Sequence, residues 1–314
     1  MRVFIYFLTI TLFVSCATRG ATDASASAAA NAAASAAASA GLNGGGMAGG
    51  EFADLPAGAL AYINIDVKLS RKLLDDVLTR YKLNTKTVIS FFDRTDRAAA
   101  AVYAENKRFL LIGYGKNYPA GLSSFSLFFN PSWEKRKSAA GKKYWYSAKN
   151  RFTLLMQKNK THISNGDPFF SADMAETPEN FALLNDGSGV SVWMADTEIL
   201  NRLLVRMDIP ITIPASALFI SAVPQDSGEE NWNITFRLET WTQSQAKGLI
   251  SVFSMLRNAL NGNYISNKTA AAAFVRTLFS EPPALDGSAI VLKCTSISRS
   301  ELAGLAASFP VYLK

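Results

Sequence analysis

The sequence predicts an α+β protein of two tandem repeats, each running strand, helix, strand, strand, helix, strand, with antiparallel sheets. Two observations carry that prediction. An apolar run that ends at an aspartate and continues with helical spacing occurs twice, ending at Asp66 and at Asp196. Each occurrence is followed by two alternating segments around a polar turn, the pattern of a hairpin.

The first unit opens with a strand over 59–65. Asp66 reads as a helix cap, and Leu69, Leu73, Leu74, Val77 and Leu78 fall on one helical face. Residues 98–104 and 109–114 follow as a hairpin, and a short helix is expected over 122–129. A second hairpin is expected over 144–147 and 152–157, then a strand over 161–164. In the second unit the strand 190–195 is capped by Asp196, and Ile199, Leu203, Leu204 and Met207 match the first helix without a gap. Its hairpin spans 217–223 and 233–241, its long helix 242–260, and its last strand 289–296. A final helix starts near Arg299, with Ser298 and Glu301 at capping-box spacing. This order resembles the ferredoxin-like split unit, a topology that hosts many activities and transfers none of them. The expected boundaries are 51–180 and 181–314, joined through a helix-then-loop connection over 173–185.

Ahead of these units stands a different kind of sequence. Arg2 and a mainly apolar run over 3–14 lead into Ser15 and Cys16, the build of an export signal and too short for a permanent span, which takes about 20 residues. The ending Leu12, Phe13, Val14, Ser15, Cys16 resembles the lipobox of bacterial lipoproteins, loosely of the spirochaete kind, with Phe13 where an aliphatic residue is usual. That resemblance implies a signal peptide over 1–15, a lipid on Cys16 and residence at the cell membrane or outer membrane, periplasmic or surface-exposed. Residues 17–50 are almost wholly Ala, Ser, Gly, Asn and Thr and offer almost no large apolar side chain to bury, Leu42 and Met47 aside. They read as a flexible tether.

The chain has 314 residues, 49% of them hydrophobic, enough for a substantial core. Only Cys16 and Cys294 could form a disulfide, and a lipid on Cys16 removes that pair. Alternation puts Cys294 on the face of Ile290 and Leu292, where it reads as a buried, inert thiol.

The net charge of +7 is uneven: residues 51–180 hold 20 Lys and Arg against 13 Asp and Glu, and residues 181–314 hold 10 against 11. The excess concentrates between Trp133 and Lys160, where Lys135, Arg136, Lys137, Lys142, Lys143, Lys149 and Arg151 stand among aromatic residues with Glu134 as the only acid. Two readings stay open here. The stretch is a patch for an anionic partner (anionic lipid, glycan or an envelope protein), or it is a solvated sheet edge whose lysines keep sheets apart. Nucleic acid is disfavoured by the export signal.

The sequence offers little for chemistry. One histidine, His162, excludes a His-rich metal site, and no metal or cofactor is expected. His162, Ser164 and Asp167 lie close in sequence and read as a strand-end polar cluster, since a triad needs converging geometry. Asp75 and Asp76 diverge on a helix, and Glu229 and Glu230 read as solvated loop acids. The expectation is a non-catalytic, membrane-anchored envelope lipoprotein serving as a binding or scaffolding module. A periplasmic carrier or chaperone for a lipid or apolar ligand is the alternative, and a hydrolase stands behind it.

Overall fold

A computed structural model describes residues 55–81 except 57, 89–116 except 90 and 104–107, 131–169 except 140, 149–150 and 158, then 187–195, 201, 213–261 and 277–304. In chain order the elements are β1 (Ala61–Asp66), α1 (Arg71–Arg80), β2 (Thr95–Tyr103), β3 (Arg108–Gly115), β4 (Trp133–Lys137), β5 (Lys143–Ser147), β6 (Phe152–Met156), β7 (Lys160–Ser164), β8 (Val190–Met194), β9 (Ala217–Pro224), β10 (Asn231–Glu239), α2 (Gln243–Asn261), β11 (Ala284–Asp286) and β12 (Ala289–Ser298).

All twelve strands lie in one antiparallel sheet, ordered β11-β12-β10-β9-β8-β1-β2-β3-β7-β6-β5-β4. This overturns the expected pair of ferredoxin-like repeats. In that unit the first strand lies between the third and fourth; here β1 lies between β2 and β8. Each half runs outward from the β1–β8 pair through two further strands, then skips to a later one (β3 to β7, β10 to β12) from which the intervening strands run out to the edge in reverse chain order. The physical reason is the composition of β1. Residues 61–65 are buried on both faces, so their N–H and C=O groups need partners along both edges. β2 supplies one ladder, with Ile63 opposite Ala100, and β8 supplies the other, with Ile63 opposite Val192.

Because the side-chain period of a strand is two, each row across the sheet keeps to one face. One such row runs unbroken through Lys135, Trp145, Leu154, Ile163, Leu111, Ala100, Ile63, Val192, Ile220, Phe236 and Leu292. It belongs to the face that carries both helices. α1 buries Leu73, Leu74, Val77 and Leu78 there, and α2 buries Ala246, Leu249, Phe253 and Leu256. Each fully buried side chain of this size contributes about 1.5–3 kcal/mol. On the opposite face Tyr62, Ala99, Ala101, Tyr103, Leu110, Ile112 and Phe219 form a second apolar cluster. The chain enters across it: Tyr62 and Tyr103 both donate to the Pro56 carbonyl, at 3.1 and 2.6 Å.

The caps differ from expectation in one instructive place. Asp66 accepts from the amides of Lys68 and Leu69 at 3.0 Å, which closes the turn before α1 rather than capping the helix itself. α1 starts after Ser70, whose side chain supplies no cap. The missing acceptor comes from the other half of the chain. The Glu229 carboxylate, in the β9–β10 loop, receives the Lys72 amide at 3.1 Å and the Leu73 amide at 3.2 Å. A carboxylate at this end also complements the helix dipole. Glu229 is 6% exposed and sits at φ 55, so the expectation of a solvated loop acid fails.

Further contacts reinforce this seam. Lys72 Nζ donates to the Gly228 carbonyl at 2.9 Å, Arg299 pairs with Asp76 at 2.7 Å, and Arg80 donates to the Ser300 carbonyl and hydroxyl. Trp232, fully buried, donates from its indole to the Glu229 carbonyl at 3.0 Å. Gly189 is required beside it, because a Cβ there would meet the Ser70 hydroxyl at 2.7 Å and the Trp232 ring at 2.9 Å. The capping box forms as read: Ser298 and Glu301 exchange bonds at 2.7 to 3.2 Å. The helices expected over 122–129 and after Asp196, the connection 173–185 and the tether lie outside the described residues.

Replacing Glu229 by alanine leaves the buried Leu73 amide and the part-buried Lys72 amide without their acceptor and is expected to cost about 1–3 kcal/mol. A lower urea midpoint at unchanged slope is the expected result, and an unchanged midpoint contradicts the capping role.

Burial also fixes an alkaline limit. It pushes the Cys294 thiol and the Tyr62 and Tyr81 hydroxyls up to about 12. The folded state holds these protons where the unfolded chain has already released them. Stability is therefore fully present below the ordinary thiol value of 9.0 and is lost as pH rises toward about 12. Urea midpoints at about pH 7 and about pH 11 check the sign, the second being lower.

Candidate functional site

Most of the basic stretch folds as the outer hairpin of the sheet. β4 reads Trp-Glu-Lys-Arg-Lys, four charges in five residues with no apolar alternation, so its strand character comes from pairing with β5 rather than from pattern. It is the last strand of the order, and Glu134, Lys135, Arg136 and Lys137 are all exposed. The return strand β5 is anchored by Tyr144, Trp145 and Ser147, which are buried. Trp133 meets Phe152 edge to face at 5.2 Å and fixes the hairpin on β6.

Several cations are held in place by aromatic faces. Lys135 Nζ stands 5.6 Å from the Trp145 ring centre, the Arg136 guanidinium lies 3.6 Å over Tyr146, and Lys142 Nζ is 4.9 Å from Phe169. Such contacts are worth about 0.5–1 kcal/mol at exposed sites and restrict long side chains that would otherwise roam. Arg136 also pairs with Glu134, so its charge is largely answered within β4.

The tip of the hairpin is different. Ser138 donates its amide to the Lys142 carbonyl at 2.8 Å and receives the Lys142 amide on its hydroxyl at 3.1 Å, while Gly141 takes φ 72 to close the turn. This sets Lys137 directly opposite Lys143. The register makes Lys137 and Lys143 a non-hydrogen-bonded pair, the kind whose side chains approach more closely. Like charges directly opposite cost stability, and no acid on either strand faces this pair. Arg151 is exposed at φ 52 in the β5–β6 turn, away from the tip; Lys149 lies outside the described residues. The structure thus sets Lys137 against Lys143 and places Lys135 and Arg136 along the edge behind them, while Lys142, in register with Ser138, falls on the other face with its ammonium at Phe169. Sequence reasoning found the residues but could not find the Lys137–Lys143 pairing, which exists only through the turn.

The other polar groups singled out in the sequence do not converge. His162 is buried on β7 opposite Ile112 and Leu155. Ser164 donates its hydroxyl to the Phe109 carbonyl at 2.7 Å, and the Asp167 carboxylate receives the Phe169 amide at 2.9 Å. Cys294 is fully buried with its thiol pushed up to about 12, foremost by burial, which leaves it protonated at neutral pH. Among the described residues no three His, Cys, Asp or Glu side chains come close enough to hold a metal ion, and no helix is long and apolar enough to cross a membrane.

A stability-for-charge exchange follows at the tip. Lys143→Glu turns a repulsive cross-strand pair into an attractive one and is expected to raise stability by about 0.2–1 kcal/mol. The urea midpoint reads this; a lower midpoint means that Lys137 and Lys143 are not in conflict.

No family model matches the chain, and no curated protein matches it. Solved structures do. Crystal form III of TP0453, a protein of the spirochaete Treponema, superposes with a TM-score of 0.53 over 81% of this chain and 96% of that one, at 15% identity. Crystal form I gives 0.52 over 83% and 97%, at 17% identity. At this level of identity the likeness is one of fold.

Proposed function

We propose that this chain is a non-catalytic, lipid-anchored envelope protein that serves as a binding or scaffolding module, with the β4–β5 hairpin as its contact for an anionic partner. The observation that carries the reading is the Lys137–Lys143 pair, set face to face on an exposed edge with no acid of either strand opposite. An anion between these side chains converts a standing repulsion into two attractive contacts. The leader supports the anchoring half: a lipid on Cys16 would hold the domain at the cell membrane or outer membrane, at the end of the tether over 17–50. The fold likeness to a spirochaete protein agrees with the spirochaete-like form of that leader.

Both halves are open to test. In a bacterial host fed labelled palmitate, the full chain is expected to take up label and partition into detergent, and Cys16→Ala to do neither; equal labelling of the two removes the anchor. For the contact, the Cys16→Ala chain is expected to bind a sulfated-dextran column and to elute earlier when Lys137, Lys142 and Lys143 are all changed to Gln. Each lost exposed contact is worth about 0.2–1 kcal/mol and fades with salt. Identical elution of the two proteins at low salt sinks the hairpin as the contact.

A further inference from the structure

The edge of the sheet narrows that partner to one kind. We infer that β4 receives an extended acidic segment of another polypeptide as the next strand of the sheet, with alternate acids of that segment lying across from Lys135 and Lys137. The inference rests on the reading that the hairpin takes an anionic partner, and adds a backbone to it.

The phase of the β4–β5 ladder sets up the argument. Ser138 donates its amide to the Lys142 carbonyl, so this pair is hydrogen-bonded, and the alternation of an antiparallel ladder makes Arg136–Tyr144 and Glu134–Tyr146 hydrogen-bonded as well. The intervening residues Trp133, Lys135 and Lys137 then turn their N–H and C=O groups away from β5. That outer side is the end of the sheet, and Glu134 through Lys137 are exposed. A row of outward donors and acceptors on an exposed edge is a template for one more strand.

The side chains decide which strand fits. Lys135 and Lys137 are two residues apart and share the face that carries the helices. On the opposite face Arg136 is already paired with Glu134. The edge therefore asks for charge on one face only, as acids at alternate positions with neutral residues between them. Cross-strand neighbours on one face stand about 4.5–5.5 Å apart, within reach of a Lys–Glu contact. Two copies of β4 pairing with each other would bring bases against bases, and an apolar strand would meet only charge. The lysines that close this edge to its own kind leave it open to an acidic strand, which is specificity by repulsion of the wrong partner. A polyanion without a backbone would use the charges and ignore the outward amides.

The test uses the full chain carrying Cys16→Ala and three labelled peptides: one with alternating Glu and Thr, the same peptide N-methylated at alternate positions, and a peptide of equal composition with its Glu residues in one block. Fluorescence anisotropy reads binding, and isotope-edited infrared spectroscopy reads whether the bound peptide becomes a strand. The alternating peptide is expected to bind and to give a strand band. N-methylation is expected to weaken it about tenfold or more, since each backbone bond lost is worth about 0.5–1.5 kcal/mol. On the protein, Lys135→Gln is expected to weaken binding a few-fold and Lys135→Pro to abolish it. The Lys135 amide is not in the ladder with β5, so proline removes the outward donor and spares the hairpin. If Lys135→Pro unfolds the hairpin, the methylated peptide on the unaltered edge still decides.

Equal binding of methylated and unmethylated peptides, or of block and alternating peptides, overturns the added strand and leaves a partner held by charge alone. Failure of the alternating peptide to bind while sulfated dextran still binds overturns it in the same way. If neither binds, the anionic-partner reading falls with it.

Discussion

The arrangement depends on how the first amides of α1 are satisfied. A helix begins with four N–H groups that have no partner of their own, and here Ser70 supplies no side-chain cap while Leu73 and Leu74 pull the helix into the core. The acceptor is Glu229, 156 positions from Leu73. Around that one carboxylate the rest of the seam is built: Trp232 holds its carbonyl, Lys72 reaches the neighbouring Gly228 carbonyl, and Arg299 reaches Asp76 on the helix's next turn. A helix of the first half is thereby seated on the second, and the β1–β8 ladder runs beneath it. The left-handed backbone of Glu229 is a local cost of about 1–3 kcal/mol, and the buried bonds around it hold it in place.

Much of this is legible in the sequence, and the parts that are not share a cause. The hairpins 98–114 and 217–241, the helix after Thr242, the strand through Cys294 and the capping box at Ser298 come from local alternation, local spacing or local caps, and each forms close to where its pattern lies. The partner of β1 is another matter. Residues 61–65 read as a strand, but their burial on both faces and their pairing with β8 as a second neighbour appear only in the fold. The ferredoxin-like reading followed element order and left open whether the two units share a sheet; a single sheet has fewer free edges, and the strand order within it is not the ferredoxin-like one. Glu229 shows the same limit from the side-chain end. In a polar loop it looks like a solvated acid, and only the arrival of α1 makes it a buried cap.

The basic hairpin was visible as composition and invisible as geometry. Nine bases between Trp133 and Lys160 mark a field. β4 itself carries no alternation, because the sheet takes it in through Tyr144 and Trp145 on the neighbouring strand. The turn at Ser138 and Gly141 converts a charge run into an ordered array. One pair faces itself at the tip, one lysine rests on an indole, and one arginine is answered by its own strand.

The position of β1 has a mechanical meaning. The chain ahead of Ala61 enters the sheet at its interior, into a strand zipped on both sides, with Ala61 to Asp66 paired to β2 and Ala61 to Ile65 paired to β8. A tension applied along that entry has to shear two ladders at once instead of peeling an edge strand bond by bond. The sheet therefore resists such a pull at β1, while its outermost strand, β4, stays at the far end of the order and outside the path of the load.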